Sequence, residues 1–314
     1  MTEPREGTHS SSPTGHDSAT TASPSTKLAD HTEGARLLES LGVAPGASLS
    51  DADLSALNAA APADEEHITP RAFIDYVLQR QGRTLAEAQL PPLLFATFQS
   101  KGFAALVDTT QATLLEQSPH PTVTLALGSI AGAPLALAQL RTGAPAAVAD
   151  LEELIALGAR DIFVMGIAGS LQPMLPIGAL LLPTRAIREE GTSFHYVPAG
   201  ESVAPNEILL QALVNAAATL HTPIATGPVW TTDAPYRELA SKIQAYSAVG
   251  VLAVEMEASA LFAVAALRKV RLALALAISD ELFHPWRPGF HMDELALAYP
   301  LLARIVANAA TNVK

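Results

Sequence analysis

Apolar positions along the chain fall into short runs separated by helical stretches. Leu93-Leu94-Phe95-Ala96-Thr97-Phe98 and Val123-Thr124-Leu125-Ala126-Leu127 read as strands. A turn from Gly128-Ser129 to Gly132-Ala133-Pro134 leads to a third strand over 135–140. A helix follows Gly143-Ala144-Pro145, with Leu151, Leu154, Ile155 and Leu157 on its buried face and Gly158 at its end. Ile162-Phe163-Val164-Met165 is the next strand, stopping at Gly166. The later half repeats this logic. Strands are expected at 179–182, 227–230, 251–254 and 272–278. Helices are expected after Pro205-Asn206, over 257–268, and from about 293 to 308. The alternation predicts one α/β domain, residues 93–314, with a central mixed, largely parallel sheet flanked by helices. In such a sheet the site lies at the strand C-terminal ends.

The first 92 residues differ. Residues 1–27 contain no Val, Ile, Leu, Phe, Tyr or Trp, so nothing offsets their ordering entropy and a disordered tail is expected. From 28 to 92 the pattern is a helical preface. Leu37, Leu38 and Leu41 share a face, Ser50-Asp51-Ala52-Asp53 starts a second piece, and Thr69-Pro70-Arg71 a third.

Composition narrows the function classes. With 19 Lys and Arg against 31 Asp and Glu the net charge is −12, which argues against nucleic-acid and anionic-membrane surfaces. Cysteine is absent, which excludes disulfide scaffolds, Cys-based metal sites and thiolate nucleophiles. No basic segment precedes an apolar run at the N-terminus, so a cytoplasmic protein is expected. The uncharged stretch 162–184 holds three prolines and three glycines and reads as buried strands and turns, not a membrane span.

Four clusters at predicted strand ends carry candidate chemistry. Gly166-Ile167-Ala168-Gly169-Ser170 reads as a small-residue loop that lets backbone N–H groups approach an anion or a sugar. Thr231-Thr232-Asp233-Ala234-Pro235-Tyr236-Arg237-Glu238 is a dense polar turn beside Trp230. In Val254-Glu255-Met256-Glu257-Ala258, two carboxylates flank a methionine at a strand-to-helix junction. One carboxylate there suits a sugar diol; alternatively Glu257 caps the helix. Ser279-Asp280-Glu281 leaves a buried strand, where an acid with a raised pKa could protonate a leaving group.

With these residues in hand, the chain resembles the nucleoside phosphorylase superfamily, and most of all uridine-phosphorylase-like proteins of bacteria and archaea. The resembling stretch is about 93–290. Its markers are Gly143-Ala144-Pro145-Ala146, Leu151-Glu152-Glu153-Leu154, the 166–171 segment, Gly191-Thr192-Ser193-Phe194-His195-Tyr196, Thr232-Asp233-Ala234-Pro235-Tyr236-Arg237, Glu255-Met256-Glu257 and Ser279-Asp280. The resemblance implies phosphorolysis of a nucleoside N-glycosidic bond, to free base and sugar 1-phosphate, through an oxocarbenium-like transition state. Phosphate is then a co-substrate, and no metal or organic cofactor is implied. It further implies that Met256 and Glu257, with Glu255 beside them, hold the ribose. Asp280 matches the acid at the base, Thr231, Thr232 and Asp233 border the base, and Gly166, Ala168 and Gly169 lie under phosphate. His195, Trp286 and Arg237 are second-tier pocket residues. A homo-oligomer is expected by resemblance.

The chain departs from that family where phosphate binds. An arginine usually precedes the small-residue loop and a Thr or Ser lies within it; Val164 and Ile167 stand there. The usual Gly-Asp-Pro-x-Arg is replaced by Phe98-Gln99-Ser100-Lys101. Lys101 and Arg141 are the only Lys or Arg between Arg83 and Arg160, and are expected to rebuild the anion site. Two other readings remain at this stage: a hydrolytic nucleosidase on the same fold, and a nucleoside-binding protein without turnover.

Overall fold

The computed structural model describes residues 66–283 and 285–313, with a few isolated positions before them. The expected tail and the helical pieces at 37–41 and 50–57 lie outside the described stretches. The elements below all belong to one unit, residues 58–314.

Helix α1 (Pro70–Arg80) starts where the sequence places it. Thr69 accepts the Ala72 N–H, Pro70 takes a first-turn position that needs no donor, and Ile74 and Leu78 are buried. A single turn, α2 (Leu85–Ala88), is closed by a reciprocal cap between Thr84 and Glu87. Then come β1 (Leu93–Thr97), α3 (Ser100–Thr110), β2 (Thr113–Leu114), β3 (Thr124–Ile130), β4 (Ala133–Gln139), α4 (Ala144–Ala156) and β5 (Asp161–Ser170). The second half holds β6 (Leu180–Glu189), α5 (Glu207–Thr219), β7 (Ala225–Thr232), α6 (Ala240–Ala248), β8 (Ala253–Glu255), α7 (Ala258–Arg268), β9 (Arg271–Glu281), β10 (Arg287–Pro288) and α8 (Asp293–Thr311).

The ten strands form one sheet in the order β10-β9-β6-β7-β8-β5-β1-β4-β3-β2, and β9 also pairs with β5. That extra pairing closes β5, β9, β6, β7 and β8 into a ring. The ladders β1–β4, β1–β5, β5–β9, β6–β7 and β7–β8 are parallel. The central strands are buried on both faces, which explains their unbroken apolar text. Leu94 and Ala96 face a core with α1, α4 and α7; Phe95 faces the core with α3, α5 and α8. Arg268 ties α7 to α4 through both oxygens of Glu152, at 2.6 and 2.7 Å.

Three boundaries differ from the sequence reading. The β3–β4 turn is only Ala131-Gly132, both at positive φ, so Gly128, Ser129, Ala133 and Pro134 are strand residues. β5 does not stop at Gly166 but runs through Gly169 to Ser170, because β8 and β9 pair with those residues. β9 likewise continues through Ser279 and Asp280 to Glu281, held by β5 and β10.

Candidate active site

At the C-terminal end of β9 the peptide turns back on itself, since Arg287 and Pro288 pair with Glu281 and Asp280. This brings Trp286 over the strand end. Its indole N–H donates to Asp280 Oδ2 at 2.9 Å, while the Ser279 hydroxyl donates to Oδ1 at 2.7 Å. Both Asp280 oxygens therefore lie within hydrogen-bond distance of a donor. Glu281, one residue on, points inward and accepts the Ile177 N–H and the Arg287 guanidinium.

The second acidic group lies at the β8–α7 junction. Glu255 ends the strand and folds back over the helix start. Its Oε2 accepts the N–H groups of Glu257 and Ala258, both at 2.7 Å. Its Oε1 accepts the Thr231 hydroxyl at 2.5 Å, and Thr231 in turn accepts the Ser259 N–H. Glu255 thus closes the N-terminus of α7, whose first donors have no partner within the helix. Glu257, although it occupies the cap position, makes no capping bond with its side chain. Its Oε1 accepts the Gly143 N–H at 2.6 Å. Gly143 has φ of 94°, a conformation that glycine reaches without strain. Burial raises the pKa of both carboxyls, and the charge of Glu255 pushes Glu257 further up. A third buried acid, Glu190, stands behind them, bonded by the Ser259 hydroxyl and the Ser193 N–H.

Asp280, Met256 and Glu257 line one cavity of about 920 Å³. Ile167, Ala168 and Gly169 line it from β5, and Phe283, Trp286 and Phe290 contribute aromatic side chains to the lining. Gln99 and Thr142 bound another part of the wall. Gln99 is the cap residue of α3, and Thr142 immediately precedes the cap residue of α4. Two helix N-termini therefore open toward this wall. Glu238 joins the lining from the turn before α6. Burial and the nearby Asp280 charge push its carboxyl up to about 7.

Several residues singled out from the sequence stand elsewhere. Arg141 does not line the cavity; its guanidinium grips the fully buried Asp150, with Nη2 to Oδ1 at 2.6 Å. Lys101 sits exposed in the first turn of α3 and also misses the lining. These two cations do not rebuild an anion site there. Among the described residues lining the cavity none is Lys or Arg. Gly166 is a packing residue: a Cβ there would meet Leu276 and Phe98. Ala168 and Gly169 do line the cavity, but as strand residues whose backbone takes part in the sheet. Thr231 is buried against Glu255, Thr232 caps the Ala234 N–H, and Asp233 accepts the Gly191 N–H, so none of the three faces the cavity. Glu255 borders it, with both oxygens committed to α7 and Thr231. His195 and Arg237 lie outside the lining, whereas Trp286 is part of it.

Glu238 and Gln99 stand out in the sequence only as members of longer stretches, with no role of their own, and Thr142 is missed altogether. Glu238 closes the same polar turn as Thr231, five residues beyond Asp233, and the burial of Thr231 and Thr232 in β7 shifts the exposed part of that turn onto it.

The chain belongs to the phosphorylase superfamily, whose family model matches residues 96–310. It is 33% identical over 162 residues to a uridine phosphorylase of Treponema pallidum, an alignment that covers 48% of this chain and 63% of that enzyme. It is 30% identical over 163 residues to a guanosine phosphorylase of Halorubrum lacusprofundi, covering 52% of this chain and 68% of that enzyme. The alignment with the Treponema enzyme thus spans less than two thirds of its length. In structure the chain is similar to uridine phosphorylase from Vibrio fischeri, with a TM-score of 0.64, 22% identity, and coverage of 72% of this chain and 93% of that one. Purine nucleoside phosphorylase from Toxoplasma gondii, crystallised with immucillin-H, gives a TM-score of 0.66 at 21% identity, over 71% and 92% of the two chains. These two likenesses establish the fold.

Proposed function

We propose that the protein cleaves the N-glycosidic bond of a nucleoside with phosphate, releasing the free base and a sugar 1-phosphate. The observation that carries this reading is the convergence of Met256, Glu257 and Asp280, from separate segments, on one cavity. Glu257 is oriented by Gly143 to accept the ribose hydroxyls, with Met256 against the sugar face. Asp280 and the aromatic residues beside it receive the base. The wall at Gln99 and Thr142, where the N-termini of α3 and α4 open, suits an oxyanion held by dipoles and N–H groups in place of arginines. The similarity to the Treponema and Halorubrum phosphorylases supports the same chemistry.

No metal or organic cofactor enters this proposal. Cytoplasmic nucleoside salvage by a homo-oligomer fits it. Among the described residues no helix is long and apolar enough to cross a membrane. Tyr236, Trp286 and Phe290 are exposed at the cavity, an apolar rim that a second subunit would cover; light scattering on the purified protein reads the assembly state.

One observation favours a second reading. A cavity lining without Lys or Arg is easier to reconcile with water than with a dianion as the acceptor. Base release from guanosine, inosine, adenosine and uridine, with and without phosphate, decides between them. Ribose 1-phosphate formed only with phosphate supports phosphorolysis. Free ribose at an equal rate in phosphate-free buffer would make the protein a hydrolase.

A further inference from the structure

The apolar face of α4 is interrupted by one fully buried acid. Asp150 stands among Ala147, Val148, Leu151 and Leu154, all buried. Its carboxyl reaches back past the start of its own helix. Oδ2 accepts the Arg141 backbone N–H at 2.8 Å, and the Arg141 guanidinium donates to both oxygens. On the other side, His120 Nδ1 accepts the N–H groups of Thr122 and Val123, which places the ring's proton on Nε2. That nitrogen lies 2.9 Å from Glu153 Oε2 and 4.0 Å from Asp150 Oδ1. A buried acid is costly unless its partners hold it, and here the backbone partner is the segment that leads into the cavity wall.

Backbone N–H groups fasten that segment at three points. Leu140 donates to the Thr97 carbonyl at the end of β1 at 2.8 Å, Arg141 to Asp150, and Gly143 to Glu257 Oε1 at 2.6 Å. Thr142, between the last two, lines the cavity. Gly143 opens α4 and Asp150 sits on α4, so the carboxyl and the N–H it controls belong to one rigid helix. Only the φ and ψ torsions of Arg141 and Thr142 separate the peptide that Asp150 pins from the Gly143 N–H. Resting on the nucleoside-cleaving reading, we infer that Asp150 is a positioning residue for this site. By holding the Arg141 peptide it sets the direction of the Gly143 N–H, and through that bond the placement of Glu257 at the sugar. Asp150 itself lies outside the cavity lining and touches no substrate.

The backbone bond, more than the ion pair, does the holding. About half of the Arg141 side chain is exposed, so the guanidinium can turn to solvent while the Arg141 N–H keeps its acceptor. Removing the acceptor altogether leaves that N–H without a partner, and the lead-in relaxes to find one. The relaxation reaches Gly143 first, because α4 fixes everything beyond it. A displacement of about 1 Å in a group that orients substrate costs roughly 10²-fold in rate. A loss of packing elsewhere would lower stability without touching the contact between Gly143 and Glu257.

The test is a double-mutant cycle on kcat/KM for base release, on the full chain, with the nucleoside turned over fastest among guanosine, inosine, adenosine and uridine. It is run at alkaline pH, where Glu257 is ionised. Asp150→Ala and Asp150→Val both remove the acceptor, the second with the space kept filled, and should lower kcat/KM about 10- to 100-fold. Asp150→Asn keeps an oxygen for the Arg141 N–H while losing the ion pair, and should stay within about threefold of the parent. In a Glu257→Ala background, where no carboxyl remains to be placed, the acceptor-free changes should cost less than about threefold. The same factor in both backgrounds would show a general structural effect and overturn the assignment. So would parent-like kcat/KM in both acceptor-free variants, or an Asp150→Asn loss equal to theirs. Failure of both to fold would make Asp150 a residue of the core alone, with the same consequence. In each of these cases the nucleoside-cleaving reading stands, provided that Glu257→Ala itself loses turnover. A parent protein that releases no base from any of the four nucleosides, with or without phosphate, removes that reading and this inference with it.

Discussion

Two glutamates one residue apart should give opposite phenotypes. Replacing Glu255 with alanine removes the acceptor of three buried donors: the Thr231 hydroxyl and the N–H groups of Glu257 and Ala258. Each buried donor left without a partner costs about 1–3 kcal/mol, so the loss is at least about 3 kcal/mol. For a chain of this size each kcal/mol shifts the thermal midpoint by roughly 2–4 °C, so Glu255→Ala should melt about 6–12 °C below the parent or lower. Glu257→Gln should not. Its amide oxygen still accepts the Gly143 N–H, and a neutral side chain escapes the burial that raises the Glu257 pKa. The sign follows from the shift. A carboxyl whose folded pKa is raised loses stability as pH climbs from its ordinary value through the raised one. The parent should therefore weaken over that window, and the midpoint of Glu257→Gln, level with the parent's in acid, should exceed it at alkaline pH. Turnover reverses the order. On the nucleoside-cleaving reading, at alkaline pH where Glu257 is ionised, each charge-assisted bond to the sugar hydroxyls is worth about 1.5–3 kcal/mol, so Glu257→Gln should lose roughly 10- to 100-fold per bond there. Differential scanning calorimetry at two pH values and a base-release assay read both quantities. An undiminished midpoint for Glu255→Ala, or a Glu257→Gln variant that melts early and turns over normally, would refute the reasoning.

Arg141→Ala should lower the urea midpoint, by about 2 kcal/mol of stability, because Asp150 stays buried without its cation; any phosphate requirement should be unchanged, and a raised one would return Arg141 to the site. Gly169→Val places a Cβ 2.3 Å from Leu282 Cδ1 and 3.3 Å from Asp280 Oδ2, so activity should fall more than thermal stability, since Leu282 is the end of a movable side chain; equal loss of both would show the position to be structural. Deleting residues 1–27, which carry no core-forming side chains, should leave midpoint and turnover within experimental scatter of the full chain.

The strands were legible because their burial on two faces writes contiguous apolar text, as in 162–165 and 272–278. Their ends were not. Ser279, Asp280 and Glu281 look like an exit from the sheet, yet β5 and β10 supply partners that keep them extended. The acidic cluster was visible as chemistry, but the roles within it depend on a single residue of phase. Glu255 belongs to the strand and turns back to cap; Glu257 stands at the helix start, reaches the Gly143 N–H and lines the cavity. Nothing local distinguishes two glutamates across one methionine. The misplaced cations show the same limit. Asp150 claims Arg141 from the next helix, and the competition between an internal carboxylate and a ligand is settled only when the fold sets the distances. Glu238 acquires its raised pKa from burial and from Asp280, 42 positions away in the sequence, so no window reading could rank it above Asp233.

The closed ring of β5, β9, β6, β7 and β8 divides the site into two inheritances. Asp280 on β9 and Glu255 at the end of β8 are fastened to strands that cannot separate without unzipping a continuous ladder. Glu238 and Tyr236, by contrast, arrive on the crossing between β7 and α6, and Trp286 and Phe290 on the stretch around β10. Those crossings can lengthen, shorten or change composition while the ring keeps its registers. On the nucleoside-cleaving reading, a lineage built on this frame can exchange one base for another by rewriting two surface segments, leaving the corner proposed to hold the sugar as it stands.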